Sequence, residues 1–214
     1  MSLVSVAQNG NIALVQKLLD DGANPNIQTT HGYTALMMAT SYTGFTDIVG
    51  LLLNRGAYPN MLNSFGDTAL MLASSVGHTD IVNLLLYSGA NPNIQNNLGD
   101  TALIMASLRG HTDIVELLLY SGANPNIQNN LGDTALIWAN SGEAKIIHLL
   151  KNYMNISKIQ SRIRGNITRN IARTQISYQQ ISTAQLPVDF DVASMIGKYL
   201  SRMAYDPEVA KRMK

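Results

Sequence analysis

The sequence predicts an all-α solenoid of five helix-turn-helix units with an appended C-terminal helical tail. Three observations carry this prediction. The phrase Gly-Ala-x-Pro-Asn begins at Gly22, Gly56, Gly89 and Gly122, with spacings of 34, 33 and 33 residues. The phrase Thr-Ala-Leu begins at Thr34, Thr68, Thr101 and Thr134 with the same spacings. Segments 65–97 and 98–130 are identical at 27 of 33 positions. A period of this length marks one supersecondary unit per repeat, each burying its apolar face only against its neighbours.

Each unit reads in the same order. Thr34, Thr68, Thr101 and Thr134 sit where a helix N-cap or first-turn residue belongs. A short apolar helix follows, such as Ala69–Ser74, and Gly77-His78 or Gly110-His111 breaks it. A second helix, Thr79–Tyr87 or Thr112–Tyr120, carries Ile-Val and Leu-Leu-Leu at helical spacing. Gly89 and Gly122 suit the left-handed position that ends a helix. Asn-Pro-Asn then marks an extended turn, because the residue before proline avoids the α region.

These landmarks are Gly-x-Thr-x-Leu-x-x-Ala, Gly-His, Ile-Val-x-Leu-Leu and Gly-Ala-x-x-Asn, and together they resemble the ankyrin repeat over roughly residues 3–154. The family pattern has Thr-Pro-Leu-His where this chain has Thr-Ala-Leu-Met or Thr-Ala-Leu-Ile. The histidine bridge between repeats is therefore expected to be replaced by apolar contact. The units are 1–30, 31–64, 65–97, 98–130 and 131–154, within a domain of residues 1–155. The first begins inside its first helix. The second has one extra residue in Tyr42-Thr43-Gly44, and the fifth is one short at Asn140-Ser141-Gly142. Atypical end units are expected of caps. Trp138, in place of Met105, reads as a large side chain closing the end of the core.

Composition narrows the functions available. The 214 residues are 46% apolar and 14% charged, enough apolar matter for a core. Absence of cysteine excludes disulfides and thiolate metal sites and fits a reducing compartment. The opening Met-Ser-Leu-Val-Ser lacks a basic leader, and no run reaches the roughly 20 apolar residues of a membrane span. The expected location is intracellular and cytoplasmic, with the nucleus also open to the protein. Stacked helices lie about 8–10 Å apart, too far for side chains in equivalent positions, such as His78 and His111, to share a metal ion at about 2 Å per bond. No nucleophile motif or Gly-rich phosphate loop is present, so no catalytic residue, metal or cofactor is expected.

The resemblance implies a binding face on the turn tips and the exposed side of the first helices. By position it comprises Tyr33, Tyr42, Phe65, Asp67, Val76, Leu98, Asp100, Leu108, Arg109, Leu131 and Asp133. Phe65, Leu98 and Leu131 place an apolar residue at three successive tips, either to meet a partner or to stiffen the row. Asp67, Asp100 and Asp133 form an acidic ladder that favours the positive helix start and would also suit a basic partner.

The remainder of the chain has a different charge. Residues 1–150 carry 4 Lys/Arg and 10 Asp/Glu, a net of −6; residues 151–214 carry 11 and 4, a net of +7. Residues 156–173 read as a basic amphipathic helix with Ile156, Ile159, Ile163, Ile167 and Ile171 within about 120° of arc. That stripe is expected to dock on the fifth repeat. Ile159-Gln160, Arg164-Gly165 and Arg169 also resemble the IQ motif, which implies calmodulin as an alternative partner. Residues 174–185 read as a polar linker. In 186–214, Leu186-Pro187 and the later Ile196, Tyr199 and Leu200 resemble the first helix of an F-box. Ankyrin repeats ending in such a segment are similar to proteins of large DNA viruses, for which the host cytoplasm would be the location. That resemblance implies docking to the Skp-type adaptor of cullin–RING ubiquitin ligases, with the repeats presenting a protein target. A monomer is expected, with nucleic acid, membrane and small-molecule substrate not expected as partners.

Overall fold

The structure, a computed structural model, describes residues 2–41, 44–139 and 144–155. Ten helices lie among them. The inner helices are α1 (Leu3–Gln8), α3 (Ala35–Thr40), α5 (Ala69–Val76), α7 (Ala102–Arg109) and α9 (Ala135–Trp138). The outer helices are α2 (Ile12–Asp20), α4 (Thr46–Asn54), α6 (Thr79–Tyr87), α8 (Thr112–Tyr120) and α10 (residues 144–155). Each inner helix packs on the next inner helix, and α2, α4, α6 and α8 pack in the same order. Each of α1, α3, α5 and α7 also packs on the outer helix that follows it.

Threonine starts the inner helices for a definable reason. The Oγ1 of Thr34, Thr68 and Thr101 accepts from the backbone N–H three residues on, at 3.2, 3.2 and 3.3 Å. Ser2 does the same for α1, its Oγ accepting from the Ser5 N–H at 3.2 Å. The outer helices α4, α6 and α8 have no side-chain cap. Asp47, Asp80 and Asp113 in their first turns supply the favourable charge instead. The sequence places the end of α5 at Ser74, and the structure carries it to Val76. Gly77 then closes it at φ 97°, a left-handed conformation that a side chain would strain.

The core is one continuous layer between the two rows. Met37, Met71 and Ile104, where the family has its histidine, are at most 2% exposed, so apolar contact does occupy that position. Each such side chain contributes roughly 1.5–3 kcal/mol by leaving water. At the far end Trp138 is half-buried and packs on this layer. Tyr120 of α8 meets Tyr153 of α10 edge to face, with ring centroids 6.1 Å apart. Burial, and then the neighbouring Tyr120, holds the Tyr153 hydroxyl above its ordinary pKa.

Polar groups fasten the turns to each other. Asn26 Nδ2 donates to the Gly56 carbonyl at 2.9 Å, and its Oδ1 accepts from the Tyr58 N–H at 2.7 Å. Asn60 makes the same pair to Gly89 and Asn91, and Asn93 to Gly122 and Asn124. Gln28 and Gln95 reach the next repeat's backbone at Leu62 and Gln128. The exposed Arg55–Asp20 ion pair at 2.8 Å also joins two repeats, but surface pairs add little. Asn93→Ala should therefore cost about 1–3 kcal/mol in denaturant unfolding. Asn83→Ala, on the exposed side of α6, should stay within about 0.5 kcal/mol of the parent.

Candidate functional site

The tips between repeats are built from a local rule. Asn96 Oδ1 accepts from the N–H groups of Leu98 and Asp100, at 3.0 and 2.9 Å, which folds the chain back on itself. The Asn96 N–H then donates to the Asp100 carbonyl and closes the hairpin. Asn63 and Asn129 repeat this arrangement around Phe65 and Leu131. Asparagine suits the position because its short carboxamide mimics a backbone turn.

Successive tips are then tied together. The Asn97 N–H donates to the Phe65 carbonyl and the Asn130 N–H to the Leu98 carbonyl, each at 3.0 Å. Their side-chain amides add bonds to the carbonyls of Ser64 and Asn97. Gly99, at φ 79°, lets the next tip approach: a Cβ there would lie 2.6 Å from the Asn130 nitrogen. Backbone bonds therefore stiffen the row, and the apolar side chains are left outward. Phe65 is 60% exposed, Leu98 66% and Leu131 77%. Val76 and Leu108, at the ends of α5 and α7, are also exposed, as is Arg109.

The aspartates have a role beyond the helix-start charge expected from the sequence. Asp67 Oδ1 accepts from Asn96 Nδ2 at 2.8 Å, and Asp100 Oδ1 from Asn129 Nδ2 at 2.9 Å. One oxygen of each carboxylate is thus a rung between repeats, and both residues are half-buried. Asp133 has no such rung among the described residues. Tyr33 stands in the same register, half-buried against the core. With no carboxylate there, the Nδ2 of Asn63 is buried without a partner. The signal was present in the sequence: Asp67, Asp100 and Asp133 each follow an asparagine by four residues, whereas Tyr33 follows Thr29.

Other exposed apolar residues lie off the expected face. Tyr58 stands where other units have asparagine, and Leu62 where they have glutamine, so each is a departure of one unit from its own consensus. Tyr87, at the end of α6, is 92% exposed. His111 Nε2 lies 3.3 Å from the Ser75 carbonyl, another link between repeats. Tyr42, the basic segment 156–173 with its IQ-like residues, and Leu186, Pro187, Ile196, Tyr199 and Leu200 lie outside the described residues. Among the described residues no group of three or more His, Cys, Asp or Glu could hold a metal ion. None of the described helices is long and apolar enough to cross a membrane.

Stacked helix pairs with hydrogen-bonded tips and outward apolar residues define a repeat solenoid of the macromolecule-binding class. A model of ankyrin repeats, three copies long, matches residues 3–96 and 77–160. The chain belongs to the ankyrin-repeat family, which makes it a protein–protein interaction module. No curated protein matches the sequence.

The Asp–Asn rung has a direct test. Asp100→Ala strands the amide of Asn129, itself buried, and should cost about 1–3 kcal/mol of unfolding free energy. Asp100→Asn keeps an acceptor oxygen and should cost less than half as much in the same measurement.

Proposed function

We propose that the tips carrying Phe65, Leu98 and Leu131, with the helix ends carrying Val76, Leu108 and Arg109, hold a protein target. The observation that carries this is the division of labour at each tip. Backbone and asparagine bonds fix the loop, and the apolar side chain takes no part in them. A binding surface held rigid before its partner arrives loses little entropy on association. Tyr33, Tyr42 and Asp133 flank this face in sequence register and belong to the same proposal. Replacing Phe65 and Leu98 together by glutamate should weaken target binding by more than about tenfold, the effect of losing roughly 1.4 kcal/mol. The unfolding midpoint should move little, because both side chains are exposed. Unchanged affinity of a captured target would place the interface elsewhere.

The finer reading is that of a substrate adaptor. The repeats would hold the target, and residues 186–214, with the F-box-like Leu186, Pro187, Ile196, Tyr199 and Leu200, would recruit a Skp-type subunit of a cullin–RING ligase. Its support is the order of parts: a binding domain, a polar stretch at 174–185, then an amphipathic segment opened by Leu-Pro. The same pairing is what supports a viral source and a host target, and the role is one of binding rather than catalysis. In a pull-down the full chain should retain the Skp-type subunit and a chain lacking 186–214 should not. Failure of the full chain to bind would sink the adaptor reading and leave the target-binding face untouched.

A further inference from the structure

The tips form a row whose pitch follows from its bonds. The Ser64 N–H donates to the His31 carbonyl, Asn97 to Phe65 and Asn130 to Leu98, each at 3.0 Å. The residue after each donor is the next tip: Phe65, Leu98 and Leu131. Chains joined by such a bond run about 4.7–4.9 Å apart, and one peptide step adds about 3.8 Å. Neighbouring tips are therefore on the order of 9 Å apart, in keeping with the roughly 8–10 Å between packed helices. Between the apolar tips stand Asn97 and Asn130, exposed and polar, their side-chain amides given to the carbonyls of Ser64 and Asn97. The row thus presents Phe65, Leu98 and Leu131 at one interval, with carboxamides between them.

That interval selects the backbone that can follow it. A β-strand sets same-face side chains about 6.6 Å and then about 13 Å apart, and neither matches the first step of the row. An α-helix returns to the same face after seven residues, about 10.5 Å, but it also presents a residue three or four positions on, which would rest on Asn97 or Asn130. A polyproline II segment turns once in three residues and rises about 9.3 Å in doing so. Its residues i, i+3 and i+6 fall on one face, in step with Phe65, Leu98 and Leu131. Charge favours cations in the positions between. Asp67 and Asp100 each give one carboxylate oxygen to a rung, and the other oxygen has no partner among the described residues. Neither side-chain oxygen of Asp133, in the same register, is engaged among the described residues. Residues 1–150 as a whole carry a net of −6. Arg109 lies at the far end of the eight-residue α7, roughly 12 Å along the helix.

We propose that the tips accept an extended, proline-rich and basic segment of the target in the polyproline II conformation, with an apolar side chain at every third residue on Phe65, Leu98 and Leu131 and lysine or arginine between. This rests on the tip face being the target site and goes beyond it in naming what the face accepts. About seven residues, i to i+6, span the three tips. The apolar contacts supply the strength of binding, and the aspartates the choice of sequence. Proline fixes the segment before it binds, so a stiff row meets a stiff ligand and little entropy is lost on either side.

Fluorescence anisotropy on the full chain tests this with three synthetic peptides. One is Leu-Pro-Lys three times over. The second has the same residues reordered so that leucine falls at every second position. The third is an alanine-rich helix with leucine at every seventh position and equal charge. The first should bind about tenfold or more tighter than either of the others. Phe65→Ser together with Leu98→Ser, both at exposed positions, should lower its affinity by about tenfold or more. Asp100→Asn keeps the acceptor of the rung and removes the charge, so it should lower the affinity about two- to threefold and flatten its dependence on salt. Equal affinity for the three peptides, tighter binding of either control, or no measurable binding of the first would overturn the inference. If the serine pair then still weakened binding of a captured target, the tips would remain the target site and the extended segment alone would fall. A target indifferent to the pair would remove both.

Discussion

The asparagine at the end of each Gly-Ala-x-Pro-Asn phrase is the constraint around which the stack is organised. In Asn26, Asn60 and Asn93 its carboxamide holds both a carbonyl and an N–H of the next repeat, so the two turns must stay in fixed register. The glutamine bonds, the tip-to-tip backbone bonds and the aspartate rungs all lie in the same stretch, between that phrase and the next threonine. Any change of length there would break several bonds at once. The sequence obeys this: from glycine to the following threonine is 12 residues in every case, Gly22 to Thr34 through Gly122 to Thr134. From threonine to the following glycine the count changes, 22 for Thr34 to Gly56 and 21 thereafter. Insertions and deletions fall between inner and outer helix, away from the amide clamps of the turns.

Two kinds of force divide the work of stacking. The helical layers are held by apolar burial, and substitution of the family's histidine by Met37, Met71 and Ile104 moves that layer further in the apolar direction. Burial is strong but not directional, and alone it would tolerate slippage. The amides at the turns supply direction. Each contributes only about 0.5–1.5 kcal/mol net, yet each is satisfied in one register only. Buried asparagines such as Asn129 are therefore better understood as register devices than as sources of stability.

Much of this was legible in the sequence. The outer helices Thr79–Tyr87 and Thr112–Tyr120 match because a capless run of Thr-Asp-Ile-Val, closed by glycine, leaves little choice of boundary. The tip residues Phe65, Leu98 and Leu131 were found because they interrupt a polar consensus. The aspartate rungs were not found, because a carboxylate at a helix start already has a sufficient local explanation in the dipole. A bond to a residue 29 positions away shows only once the repeats are superposed. Trp138 was legible as a core-closing side chain, but its buried Nε1 without a partner was not, since hydrogen-bond supply depends on the fold around it.

The tips also explain how one repeat chemistry can serve recognition. At the Phe65 and Leu98 tips, asparagine, glycine and the half-buried aspartate hold the loop, so changing them costs stability, whereas the first tip, with Thr29 and Tyr33 in those places, stacks without a rung. The residue between asparagine and glycine has its backbone bonded and its side chain outside those contacts. It can change at little structural cost, and it is where Phe65 gives way to Leu98 between two otherwise near-identical units. On the proposed reading, partner contact falls on positions the scaffold does not need, and their exposed apolar character in three successive units suits burial of surface rather than pairing of charge.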